Sequence, residues 1–132
     1  MEKKFFSLGA FFAGLAVAAG SFGAHGLQNM VPAESLLTWE KAVRYQIYHA
    51  FALFFVAWAI TQWWDQIKIL RNAGWLFVLG IVLFSGSLYT LVFTGTLTIQ
   101  GINLAYIIPA GGVAFVLGWL LLLMAARRSQ KG

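Results

Sequence analysis

The chain of 132 residues has no cysteine, only two prolines, and charge on just 10% of its residues, where a soluble domain carries about 25%. Without cysteine, a disulfide scaffold and thiol catalysis are excluded. So little charge beside 61% hydrophobic and 17% aromatic residues also excludes disorder and a soluble nucleic-acid binder, because such a surface could not be wetted. What is there fits an integral membrane protein. A bilayer span needs about 20 apolar residues, so residues 1–132 hold four or five spans as one transmembrane domain and leave no room for a soluble one.

Charge marks the span boundaries, because a charge at the bilayer centre costs about 3 kcal/mol or more. No charged residue stands between Lys4 and Glu34, between Arg44 and Asp65, or between Arg71 and Arg127. The third gap is too long for one span and is divided by the polar, glycine-flanked stretch Gly95-Thr96-Leu97-Thr98-Ile99-Gln100-Gly101. Four spans follow, at about 5–24, 45–64, 74–94 and 104–126. The expected fold is all-α, an integral membrane four-helix bundle. Hydrocarbon leaves no partner for an unpaired backbone group, and segments such as Phe51-Ala52-Leu53-Phe54-Phe55-Val56-Ala57-Trp58 lack the apolar-polar alternation of a barrel strand.

Four spans put both termini and the Asp65–Arg71 loop on one side. That side holds Lys3, Lys4, Lys68, Arg71, Arg127, Arg128 and Lys131, against Lys41 and Arg44 opposite. The excess predicts cytoplasmic termini in a plasma (inner) membrane and accounts for the net charge of +5 without nucleic acid. Trp63, Trp64 and Trp75 on one side, with Tyr45, Tyr48 and Tyr106 on the other, suit interfacial belts. Lys3-Lys4 before an apolar run and Ala18-Ala19-Gly20 also resembles a signal peptide, but cleavage would leave three spans and spoil the charge asymmetry.

The long connection from Gly26 to Arg44 contains Val31-Pro32-Ala33-Glu34, a helix start. Leu36, Trp39, Val43 and Ile47 recur at helical spacing, and Glu40 and Arg44 stand at i,i+4. This predicts a short interfacial amphipathic helix that turns into the second span, an anchor or a lid. Helix one carries a small-residue row, Ala10, Gly14 and Ala18. Such rows let helices approach closely and predict either a central place in the bundle or a homo-oligomer.

Uncharged polar residues gather on four helices at one depth, in the outer half. They are His25 after Gly20–Gly23, Tyr45 and His49 at i,i+4, Ser85, Ser87 and Tyr89, and the segment Pro109-Ala110-Gly111-Gly112. Pro109 removes one helical hydrogen bond and Gly111-Gly112 permits a bend. The candidate ligand-binding set is therefore His25, Tyr45, His49, Ser85, Ser87, Tyr89, Pro109, Gly111 and Gly112. The same residue types also tie helices together with no ligand at all.

Enzyme chemistry has little to build on. No carboxylate lies within a span, and a Ser85–histidine or Ser87–histidine pair lacks an orienting third group. A metal could draw at most on His25, His49 and Glu40. No catalytic residue, metal site or cofactor is expected.

The ordered motifs Gly20-Ser21-Phe22-Gly23-Ala24-His25-Gly26-Leu27, Tyr45-Gln46-x-x-His49, Phe84-Ser85-Gly86-Ser87-Leu88-Tyr89 and Pro109-x-Gly111-Gly112-x-x-Phe115-x-x-Gly118-Trp119 resemble the YgdD/YwdK-type family of small bacterial inner-membrane proteins. That family has relatives among eukaryotic small transmembrane proteins. Ser21 departs from the alanine more usual there. The resemblance covers nearly the whole chain and implies four spans in the plasma membrane, but no activity. Two functions are in view: a binding or transport module for a lipid or small amphipathic molecule, with its pocket at the outer-half cluster, and a structural or accessory subunit associating with itself or other membrane proteins.

Overall fold

A computed structural model describes residues 1–130; Lys131, counted above among the basic residues, lies outside them. Helix α1 runs Glu2–His25, α2 Ala33–Gln62, α3 Ile67–Gly80 and α4 Gly86–Thr94. One π-helical turn, Ile81–Ser85, joins α3 to α4 as a single rod, and α5 runs Leu104–Arg128. Four helical stretches are long and apolar enough to cross a membrane. The 25 residues of α5, at 1.5 Å each, reach about 37 Å and exceed a hydrocarbon core of about 30 Å. The molecule is an all-α membrane bundle.

Two spans are longer than the charge boundaries suggest. The expected interfacial helix is no separate element: residues 33–44 are the first turns of α2, which continues unbroken to Gln62. No glycine or proline follows Pro32 before Gly74, so nothing breaks the helix. The Trp39 indole N–H donates to the Ala19 carbonyl at 2.8 Å, which pins this segment against α1. Glu40 and Arg44 make no ion pair, contrary to their spacing; among the described residues the one ion pair joins the N-terminal amine to Glu2. Lys68 and Arg71 lie on the first turns of α3, because a 3-10 turn, Trp64–Gln66, closes the connection. Asp65 in that turn accepts from the Ser129 hydroxyl at 3.1 Å and ties it to the end of α5.

The divider between the third and fourth spans is a small hairpin of β1, Thr98–Ile99, and β2, Ile102–Asn103. Its turn, Gln100-Gly101, has φ of 49° and 82°, the left-handed pair that a two-residue hairpin demands. The Asn103 side chain then caps α5 by accepting from the Ala105 N–H at 2.9 Å.

Phenylalanine rings set into glycine sockets lock the rods together. Phe5 of α1 lies over Gly74, Phe77 of α3 over Gly118, and Phe115 of α5 over Gly80. A Cβ on Gly111 would stand 2.5 Å from the Phe84 backbone nitrogen, so α5 touches the π turn main chain to main chain. Phe5, Leu53, Val56, Leu70 and Phe77 are fully buried at the centre. Helix α5 continues through Pro109. Proline there forgoes the bond to the Ala105 carbonyl, which lies in the exposed first turn of the helix.

Candidate functional site

The buried face of α2 follows a seven-residue pattern: Trp39, Ala42, Gln46, His49, Leu53, Val56 and Ile60 are all buried. Its half toward Asp65 is aliphatic. Its half toward the hairpin is polar, and each polar position there reaches a different neighbour. Trp39 binds the Ala19 carbonyl of α1, as described. The Ala42 carbonyl accepts the Ser85 hydroxyl from the π turn at 2.7 Å. The Gln46 amide donates to the Phe12 carbonyl of α1 at 2.9 Å, and its oxygen accepts the Tyr89 hydroxyl of α4 at 2.8 Å. Helix α2 is thus the hub.

His49 makes the bond to α5. Its Nδ1 lies 2.7 Å from the Tyr45 carbonyl, which can only accept, so Nδ1 carries the hydrogen. Nε2 then accepts from the Trp119 indole N–H at 3.1 Å. The ring lies flat on Phe115, with centroids 3.5 Å apart and planes 10° from parallel. Both nitrogens and a face of the imidazole are engaged by the protein itself. Among the described residues no buried side-chain nitrogen or oxygen lacks a hydrogen-bond partner.

The structure thus brings together Tyr45, His49, Ser85 and Tyr89 toward the hairpin end of the bundle, and Ser87 is buried on the same rod. Tyr45 packs on Phe84 and His49, and Tyr89 packs on Trp39 with centroids 4.6 Å apart. His25 does not join them; it is exposed at the end of α1. The Pro109 segment divides, with Pro109 exposed, Gly111 buried against Phe84, and Gly112 meeting no neighbour. No serine pairs with a histidine here, since Ser85 donates to Ala42 and His49 is held by Tyr45 and Trp119. Among the described residues no three metal-ligating side chains converge.

The candidate set left out four members, Trp39, Gln46, Phe115 and Trp119, although the last three stand in the motifs quoted above. The seven-residue pattern from Trp39 to Ile60 carried the signal for the first two, since it places Gln46 on the buried stripe with His49.

Beside the cluster, a groove of about 300 Å³ opens between α1 and α2, lined by Gly20, Gly23, Ala24, Trp39, Glu40, Val43, Arg44 and Ile47. A second groove of about 330 Å³, at the end bearing the N-terminus, is walled by Phe6, Phe54 and Trp58, with Lys3 at its edge.

A bundle of four apolar rods tied by polar bonds from one hub helix defines a small multi-pass membrane protein. Residues 19–112 match the family described as protein of unknown function (DUF423), and the chain belongs to that family. It is 46% identical over 124 residues to the UPF0382 membrane protein YwdK of Bacillus subtilis (strain 168), covering 94% of this chain and 96% of that one. A UPF0382 membrane protein of Staphylococcus aureus (strain bovine RF122 / ET3-1) is 45% identical over 123 residues, covering 93% and 94%. One of Staphylococcus saprophyticus is 45% identical over 122 residues, covering 92% and 95%. No solved structure matches the chain.

Proposed function

We propose that the protein is an accessory subunit of the plasma membrane that associates with itself or with other membrane proteins through the outward face of α1. One observation carries this reading. Helix α1 packs on α2 through Gly9, Ala16 and Gly23, while Ala10, Gly14 and Ala18 point away and are exposed. A Cβ on Gly14 would meet nothing within 4 Å. The small-residue row is therefore not consumed by the chain's own bundle. In lipid, close packing of such rows is a main source of helix association. Both termini lie in the cytoplasm on this reading, because Lys3, Lys4, Lys68, Arg71, Arg127 and Arg128 share the termini end.

Gly14→Leu tests the proposal. Native mass spectrometry or crosslinking in bilayers should show an oligomer or partner that Gly14→Leu weakens about tenfold, with helicity unchanged. A strictly monomeric wild-type particle without partners defeats the reading.

A second reading, a module that binds a lipid or small amphipathic molecule in the outer half of the bilayer, draws support from the α1–α2 groove. The cluster of Tyr45, His49, Ser85 and Tyr89 lends it less, since those groups already satisfy one another. The groove is apolar, faces the lipid and carries opposite charges at its mouth.

A further inference from the structure

We infer that the α1–α2 groove holds one glycerophospholipid whose headgroup carries both a phosphate and an ammonium; this rests on the ligand reading just given. Three features of the groove point the same way. Its walls suit an acyl chain: Gly20, Gly23 and Ala24 of α1 present almost no side chain, while Trp39, Val43 and Ile47 line the α2 side. At Gly23 the Trp39 ring occupies the space, since a Cβ there would stand 2.7 Å from it, and the opening lies beside Gly20 and Ala24. A Cβ on Gly20 would stand in ordinary contact with Val43 Cγ1 at 3.5 Å, so the first carbon of a larger side chain fits there and the rest of it enters the groove.

The mouth carries the second feature. Arg44 and Glu40 both border the groove, both are exposed, and neither is taken by an ion pair among the described residues. They stand one helical turn apart, so about 6 Å separates them along the axis. A guanidinium is a strong, multidentate partner for phosphate, and a carboxylate accepts from an ammonium.

Their order is the third feature. Helix α2 enters from the hairpin end, so Glu40 lies further from the bilayer centre than Arg44, and Ile47 lies deeper than both. From the inside outward the α2 wall therefore offers Ile47, the Arg44 cation and the Glu40 anion, with Val43 and Trp39 as apolar surface beside the charges. A phospholipid of this class presents acyl chain, phosphate, then ammonium in the same sequence. A purely anionic headgroup would leave Glu40 facing like charge, and a free phosphate would leave the apolar wall uncovered.

The test is lipid retention by the full chain. The protein is placed in nanodiscs of equal parts phosphatidylethanolamine, phosphatidylcholine and phosphatidylglycerol, then released into detergent and weighed by native mass spectrometry. The expected result is one phosphatidylethanolamine retained in preference to the others. Arg44→Ala should weaken retention about tenfold, Glu40→Gln should remove the preference over phosphatidylglycerol while a lipid is still held, and Gly20→Leu should expel the lipid. Circular dichroism should be unchanged in all three, since Glu40 and Arg44 are exposed and a Cβ on Gly20 meets Val43 only at ordinary contact distance. Equal retention of all three headgroups, indifferent to Glu40→Gln, overturns the headgroup inference but leaves the ligand reading standing. No lipid above the level held by Gly20→Leu overturns both.

Discussion

His49 is the residue on which the functional question turns, because a buried imidazole among tyrosines and serines could serve a ligand or the fold. Its two nitrogens are divided between the Tyr45 carbonyl and the Trp119 indole, and its face lies on Phe115. It holds α5 to α2. If that is its role, a ring without nitrogens should replace it in part. We predict that His49→Phe keeps the stack on Phe115 and costs about 1 kcal/mol, the scale of hydrogen bonds between membrane helices. His49→Ala opens a cavity as well and should cost about 3 kcal/mol. Reversible unfolding in bicelles measures both, and a larger loss for Phe than for Ala would contradict the assignment. The presence of His49 in the cluster was readable from its spacing to Tyr45 and its depth. The exclusion of His25 was not, because sequence depth says nothing of the direction a side chain takes at a helix end.

At the scale of elements, the fold depends on where glycine meets phenylalanine. The row of small residues in α1 is conspicuous in the sequence, yet the tightest main-chain approach is that of Gly111 to Phe84. Adjacent glycines give a matched pair. Gly111→Ala drives a methyl into the Phe84 backbone and should cost about 2 kcal/mol, whereas Gly112→Ala meets open space and should change stability by less than about 0.5 kcal/mol. Thermal unfolding of the two variants in one detergent checks this. The four spans were evident from gaps between charges, since a charge cannot sit unpaired in hydrocarbon. The sequence reading hid the continuity of α2, because amphipathic spacing in residues 33–44 suits both an interfacial helix and a helix with one face on α1. Trp39 decides between them by hydrogen-bonding across to Ala19. The hairpin was equally hidden, since Gln100-Gly101 lies between strands of only two residues each.

For the whole molecule, orientation and the state of the interior are the two properties that bear on function. The chain has no cysteine, so single cysteines report topology cleanly. With cytoplasmic termini, Gln62→Cys should react with a membrane-impermeant maleimide only from the cytoplasmic face, and Thr96→Cys only from the other. The reverse pattern would overturn the orientation. Inside, every helix is bound to α2 by a polar bond or a packed ring, and the cluster toward the hairpin is a set of ties whose partners are all supplied by the chain. On the function proposed above, interaction with other molecules is left to the surface, at the open row of α1 and the groove beside it. This claim is tested most directly by solid-state NMR of ring-¹⁵N-labelled histidine in lipid bilayers. The account predicts a single Nδ1–H tautomer for His49, with Nε2 accepting from Trp119 and no exchange of the ring proton with water. A mixture of tautomers in rapid exchange with water would show an open, hydrated pocket at the cluster and would contradict it.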